Sequence, residues 1–450
     1  MKHQKPFKQK LTVLAMALSC LMPAAALAQT LDFKMCVDNA LSQNPEMRVS
    51  GARIEQAQSA LGKAQSSRLP QITASFTAAN SNNALNVFGM KLQQREVVQE
   101  DFIVERLNDP DAHTDFNTRL EMLVPIYNGG IVTSYENQAA AMIEAARQGN
   151  VAVQQMLTYH IYQAYESVHA ARAYIAVAEQ AKLTAQSFVK TTQSLVEQGV
   201  LVRSEFLSAQ VNESSASVAL MKAQGQEQIA LDNLRMLMSM EPGAPLDVGA
   251  RQDLSLPTES MDELVGLTLA DNPQLEAKRK EANVSEFAVD EAKAAYYPNF
   301  NIMLRQDWND QNLGLSSSSY TVAGMVSWKI TDFGVTNHSV DMANAAAAQQ
   351  KATVQSESNK ARLEVMTAWR KLQIYKQQVQ ADVLAVEQAE EAQRLIMQRF
   401  NNGVATITEV LASQTQLDKA RADLVGAQYE TNVEKARLRL ATGTMDVTRL

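Results

Sequence analysis

The feature that most constrains the fold of this chain is an internal duplication. The segment Ala40–Met47 resembles Thr268–Leu275, which lies 228 residues later and carries the same Asn-Pro pair. Further along, Gly199–Glu205 resembles Gly403–Glu409 at an offset of 204 residues. Apart from 24 additional residues in the first half, the two halves have matching lengths. Such self-similarity predicts two copies of one structural unit.

The duplication predicts the domain boundaries. We expect a first structural repeat at 29–241 and a second at 260–450. A linker at 242–259, in which Pro and Gly are concentrated, joins them.

The first 28 residues have the organisation of a secretory signal peptide. Four lysines precede the apolar run Leu11–Leu21, and Ala26–Ala28 fits a signal-peptidase site. Lipid attachment at Cys20 is an alternative, although Ala17 stands where a lipoprotein signal normally carries Leu. Removing this segment takes the formal net charge from −8 to −12. An acidic exported chain is a poor candidate for nucleic-acid binding, which depends on clustered positive charge.

The composition of the chain, and the small number of Pro and Gly residues that could interrupt a helix, predict long helices. The chain has only 11 Pro and 17 Gly, and Ala, Gln, Glu and Leu are abundant. Each half should open with a helix interrupted at Asn-Pro, at about 32–68 in the first half. A long helix should then run from 130 to 199 and return at 204–240, with the second-half equivalents at 335–402 and 408–441. Stacked end to end, the two shorter helices would match the long one.

Between the opening and long helices, the apolar residues recur at every second position. This alternation predicts strands at about 71–80 and 115–126, and at 299–308 and 320–330 in the second half. About ten residues is the length that a tilted strand needs to cross a bilayer. Four strands cannot close a barrel, whereas three copies would supply twelve. The 24-residue excess, within 80–115, should form an extracellular loop that is polar overall, and its apolar residues Phe88–Met90, Val97 and Val98 form the part that could fold into the pore mouth.

These motifs together resemble the TolC family of outer-membrane factors. The resemblance rests on the paired Asn-Pro motifs, the segment Pro125–Gly130 at a strand-to-helix junction, and twin Gly-x4-[Ser/Thr]-Glu-x-Leu turns. It implies a mainly α fold with transmembrane β: a homotrimer with a twelve-stranded β-barrel in outer-membrane lipid and a periplasmic α-helical tunnel. The 242–259 linker would match the family's equatorial region.

The resemblance also implies a function. The trimer would be a passive conduit of a tripartite efflux or type I secretion system. Its partners would be a periplasmic adaptor protein and an inner-membrane transporter of the RND or ABC type. It implies no enzyme activity and no cofactor, and the sequence does not indicate whether the cargo is a drug, a metal ion or a polypeptide.

The two Gly turns would be the periplasmic tips, where docking and gating should concentrate. Glycine permits the left-handed conformation that ends a helix, and Ser204 and Thr408 are the expected caps of the following helices. Apolar residues at a solvent-facing tip suggest contact with the adaptor. The predicted docking residues are Gly199, Val200, Leu201, Val202, Arg203, Gly403, Val404 and Ile407.

Glu409 matches the position of the family's acidic ring at the closed end of the tunnel. The family's latching residues are replaced here, so the predicted aperture set is Glu409, Phe400, Ala405 and Ala412. An acid near a helix N-terminus also interacts favourably with the helix dipole, and that interpretation of Glu409 stays open.

Two other classes of protein are alternatives for this pattern. A periplasmic coiled-coil adaptor or scaffold also has long helices and an export signal, but usually has one helical hairpin between compact β-domains. A secreted enzyme would need a clustered site. The sequence indicates no catalytic, cofactor-binding or metal site, because His113, His160 and His169 occur singly.

Overall fold

The computed structural model describes residues 29–255 and 259–446. The predicted signal peptide, 1–28, therefore lies outside the described residues, as do three residues of the linker and the last four of the chain.

Apart from two helices that lie between the two long strands of the first half, the two halves repeat one order of elements. The first half contains β1 (Gln29–Leu31), α1 (Phe33–Gln43), α2 (Pro45–Ser66), β2 (Gln71–Ser81), α3 (Ala84–Gln94), α4 (Val104–Asn108), β3 (His113–Asn128), α5 (Ile131–Glu197) and α6 (Arg203–Leu237). The second contains β4 (Leu246–Val248), α7 (Met261–Asp271), α8 (Pro273–Ala294), β5 (Asn299–Asp310), β6 (Ser317–Ser327), α9 (Val335–Asn401) and α10 (Ile407–Ala441). Equivalent helices have equal lengths of 11, 22, 67 and 35 residues.

The helix breaks at the Asn-Pro pairs follow from capping. Asn44 ends α1, and its Oδ1 accepts a hydrogen bond from the amide of Glu46 at 2.8 Å, while Pro45 begins α2. Asn272 caps α8 in the same way through the amide of Leu275. Proline fits the first helical position because that position needs no amide donor.

The four long strands form one antiparallel sheet in the order β2-β3-β5-β6. The last strand was predicted at 320–330 but spans Ser317–Ser327. The reason is register: Ser327 pairs with Asn299, the first residue of β5, so Trp328–Ile330 have no strand partner there. The indole Nε1 of Trp328 instead donates to the carbonyl of Tyr296 at 3.1 Å.

The helices form a wall one layer deep below this sheet. Near the sheet, α2, α5, α8 and α9 lie side by side in that order. Farther away, the order is α6, α5, α10, α9. The long helices α5 and α9 therefore run the full height of the wall, and the shorter helices share the remaining places.

The main core lies at mid-height, where the linker crosses the helices. β4 pairs in parallel with β1, and Tyr162 and Tyr165 pack against Phe33 in edge contacts. The side chain of Glu166 is fully buried, and its Oε2 accepts hydrogen bonds from Arg251 Nη2 at 2.7 Å and Asn432 Nδ2 at 3.0 Å. This network ties the linker to both α5 and α10.

The 24-residue excess of the first half, which the sequence predicts as a loop, contains helices. It folds into α3, a 3-10 turn (Gln99–Phe102) and α4. Its apolar residues pack against one another: Val87 is buried, and the ring centroids of Phe88 and Phe102 lie 5.7 Å apart.

Candidate functional site

Two short connections between helices, at one end of the wall, form the predicted tips. Gly199 (φ +78°) follows α5, and Gly403 (φ +74°) follows α9. The left-handed glycine lets the next amide turn back, so Val200 donates to the carbonyl of Leu195 at 2.8 Å and Val404 to that of Arg399 at 2.9 Å.

The caps of the returning helices are not the predicted Ser204 and Thr408. α6 begins at Arg203 with Val202 as its N-cap, and α10 begins at Ile407 with Thr406 as its N-cap. Both helices therefore start before the predicted residue. The pattern Thr406-x-x-Glu409 is a capping box, and this signal in the sequence could have located the start of α10.

Glu409 is one half of that capping box. Its Oε2 accepts from the Thr406 amide at 2.7 Å, and the Thr406 hydroxyl accepts from the Glu409 amide at 3.3 Å. The same Oε2 also accepts a hydrogen bond from the Thr406 hydroxyl at 3.0 Å. The bond from the backbone amide, followed by that from the hydroxyl, holds the pKa of Glu409 below its usual value, with a smaller effect from the charge of Arg399. The side chain is exposed, so it is available to the solvent while it caps the helix.

Glu205, the repeat partner of Glu409, has a different environment. Its helix is capped by Val202, which has no side-chain oxygen, so no capping box forms. The two tips therefore have similar backbones, but only the Glu409 carboxylate is held against the start of its helix.

A buried apolar cluster, which we call the tip cluster, joins the two hairpins. It consists of Phe188 and Ala209 from the first hairpin and Phe400, Ile407 and Val410 from the second. Leu201 and Ala405 are partly buried and pack against it. The predicted aperture residue Phe400 thus lies inside the protomer's own packing, whereas Ala412 is exposed.

One of the predicted docking residues is buried in the tip cluster. Ile407 is only 2% exposed, so the expectation that it presents apolar surface at the tip is wrong. Its side chain fills the space between the two hairpins. By contrast Val200, Val202 and Val404 are 65%, 63% and 67% exposed. Arg203 is exposed beside them as the first residue of α6.

The sheet at the other end of the wall has two chemically different faces. On one face, Arg119 Nε donates to Asp307 Oδ1 at 2.8 Å, and Asn117 Nδ2 donates to Asn309 Oδ1 at 2.8 Å. The opposite face exposes apolar side chains. They are Ile72, Phe76, Leu120, Tyr320, Val322 and Val326. We call these the polar face and the apolar face.

No helix within the described residues is long and apolar enough to cross a membrane. Within the same residues, no group of three or more His, Cys, Asp or Glu side chains is placed to hold a metal ion.

Comparison with known proteins gives a consistent picture. The model of the outer membrane efflux protein family matches residues 36–239 and 264–444. The chain is 22% identical over 437 residues to the outer membrane efflux protein BepC of Brucella suis, which covers 95% of this chain and 88% of that protein.

Solved structures share the fold. The outer membrane protein VceC of Vibrio cholerae superposes with a TM-score of 0.77 at 18% identity, covering 91% of this chain and 96% of that one. The CmeC outer membrane channel of Campylobacter jejuni gives a TM-score of 0.79 at 15% identity, covering 92% of this chain and 85% of that one.

Proposed function

Because this chain belongs to the outer membrane efflux protein family, we propose that three copies form one passive channel for solutes leaving the periplasm. The observation that carries this proposal is that the four-stranded sheet has two edge strands without a neighbouring strand in the protomer, and that the row of helices below it likewise ends on both sides. The edge strands of the sheet are β2 and β6, and each presents backbone donors and acceptors on its outer side. Such edges cannot remain bare in lipid.

The helical wall continues both edges. α2 and α6 lie on one side of the protomer, while α9 lies on the other. α6 exposes the apolar residues Leu207, Val211 and Val218, and α9 exposes Ile374, Leu384 and Leu395. One head-to-tail interface, β2 with β6 and α6 with α9, would cover all of these surfaces at once. A heterologous interface of this kind stays finite only if it closes into a ring.

The chemical difference between the two faces of the sheet indicates which face would point into the ring. With three copies, the twelve strands would enclose the polar face and turn the apolar face towards lipid, as in outer-membrane barrels. The helices would then extend the same enclosure into the periplasm. The family match argues against the alternative of a periplasmic adaptor or scaffold.

The exposed apolar residues of the tips suggest a protein partner. Val200, Val202 and Val404 form exposed apolar surface at the end of the helices farthest from the sheet, and we assign them to contact with a periplasmic adaptor protein. Gly199, Gly403 and Arg203 shape and flank this surface. The adaptor would connect the channel to an inner-membrane transporter of the RND or ABC type.

The gate is proposed at the same end. Three exposed Glu409 carboxylates around the axis would form an acidic ring, together with the exposed Ala412. Phe400 and Ala405 would support the ring from the tip cluster inside each protomer. A ring of like charges in a narrow passage attracts cations.

Native mass measurement of detergent-extracted protein tests the assembly. We expect a trimer, and Val211→Glu should weaken it because the substitution places a charge in the α6–α9 contact. A monodisperse, water-soluble monomer of the unaltered chain would rule the proposal out.

A further inference from the structure

The connection between β2 and β3 is much longer than the fold requires. The equivalent connection between β5 and β6 spans only residues 311–316. The first connection instead carries the folded segment 84–108, which we call the cap. Since the short connection suffices for the same type of hairpin, joining the two strands does not require the cap.

Side-chain bonds join the parts of the cap to one another. Lys91 Nζ lies 2.6 Å from Asp101 Oδ1, and the other carboxylate oxygen of Asp101 accepts from the Val98 amide at 2.9 Å. These bonds tie α3 to the 3-10 turn. Arg95 adopts the left-handed conformation (φ +60°) that reverses the chain between them.

The cap is attached to the polar side of the sheet through Gln94, which is only 4% exposed. Its amide nitrogen donates to the carbonyl of Thr114 at 2.9 Å and to Asp115 Oδ1 at 2.8 Å. Its amide oxygen lies 2.7 Å from His113 Nε2, and its backbone carbonyl accepts from the Ser317 hydroxyl at 2.6 Å.

The strand register identifies the face to which these partners belong. His113 and Asp115 have the same parity along β3 as Asn117 and Arg119, and successive side chains of a strand alternate between faces. Ser317 pairs with Asn309, which also lies on the polar face. Arg95 Nη2 adds a bond to the carbonyl of Ser318 at 2.7 Å. The cap is therefore bound across β3 and β6 from the polar side.

We propose that the cap is an exit constriction, held by Gln94 over the polar face so that it narrows the outer mouth of the channel and limits the size of what passes. This inference rests on the proposed function, because it takes the polar face to line the lumen. It adds a second narrowing at the opposite end of the molecule from the tips.

Cysteine labelling from outside the cell tests the cap independently of the tips. Thr73→Cys places a thiol on the polar face of β2, opposite Glu121 and below the cap. Cys36 is fully buried and does not compete. On intact cells a small thiol reagent should label Thr73→Cys, while a bulky polymer-linked maleimide should not. Replacing residues 84–108 by the 311–316 sequence should allow both reagents to label.

Point variants separate attachment from folding. Gln94→Ala removes the side-chain bonds to Thr114, Asp115 and His113, and bulky labelling should increase. Gln93→Ala, at the exposed neighbouring position, should leave labelling unchanged.

The possible outcomes are distinct. Equal bulky labelling with and without the cap, in trimers of normal abundance, would overturn the exit constriction. Failure of the small reagent to label either version would show that the polar face does not line an outward-open lumen, and would contradict the proposed function instead.

Discussion

The side-chain amide of Asn44 donates to the backbone carbonyl of Leu237, the last residue of α6, at 2.9 Å. Asn272 does the same to Ala441, the last residue of α10, at 2.9 Å. Each asparagine thus caps the helix that follows it and also satisfies a terminal carbonyl of the returning helix. This pair of bonds stacks α6 beneath α2, and α10 beneath α8, and lets two shorter helices accompany each long one.

Asn44→Asp should therefore destabilise the protein although aspartate is a good N-cap. The carboxylate retains the acceptor for Glu46 but cannot donate to Leu237, and it places a charge beside that carbonyl in a buried position. We expect a loss of about 1–3 kcal/mol in the free energy of unfolding. Thermal unfolding of the purified protein measures it. Gln43→Glu, which adds the same charge at the exposed preceding residue, is the control and should change little.

Val404→Asp should abolish export while trimer abundance stays normal. The reason is that a charge at a dry protein contact must be buried without a partner, which is costly. Asn402→Asp places the same charge two residues away at the same tip and should be tolerated. Unchanged export by Val404→Asp would show that the tips are turns only.

Ile407→Ala should act on stability rather than on docking. Its side chain is buried in the tip cluster, so truncation leaves a cavity and should cost about 2–5 kcal/mol locally. Limited proteolysis of the purified protein should show faster cleavage near the tips. Val404→Ala is the matched control, because that side chain is exposed and its truncation removes no packing. Equal protease resistance of both variants would contradict the assignment of Ile407 to the tip cluster.

Glu409→Gln should reduce block by multivalent cations in planar bilayers with little change in stability. Glutamine also serves in capping boxes, so the helix start is retained while the charge is lost. Glu205→Gln is the internal control, and an equal effect from it would place both acids in the pore.

The same side chain has a predictable pH dependence. The pKa of Glu409 in the folded protomer is lowered by its bonds to Thr406, so the carboxylate stays ionised at a lower pH than an ordinary glutamate does. Its contribution to the stability of α10 is present above the pKa of the unfolded chain and is lost as pH falls through the lower folded pKa. The protection of amides at the start of α10, meaning their exchange rate compared with that of an unstructured amide at the same pH, should therefore fall only below the usual pKa range of a glutamate carboxyl. Glu409→Gln should remove that acid transition. A transition at higher pH would indicate repulsion between copies that outweighs the cap.

The sequence by itself determined the duplication and the approximate bounds of the long helices and of the four long strands, but not the short strands β1 and β4. These features depend on local chemistry: Asn-Pro pairs and left-handed glycines interrupt helices wherever they occur, and alternation of apolar residues needs only the strand's own period. Even the start of α10 was encoded locally, in Thr406 and Glu409.

Only the tertiary structure decided which side chains are covered. Val404 and Ile407 are both apolar residues of one turn, and nothing local distinguishes them, yet the neighbouring hairpin buries Ile407 and leaves Val404 in solvent. The second bond of Asn44 and the attachment of Gln94 likewise join residues 193 and 223 positions from their partners Leu237 and Ser317. Burial and such long-range bonds depend on what packs against a residue, and a periodic pattern carries no information about that neighbour.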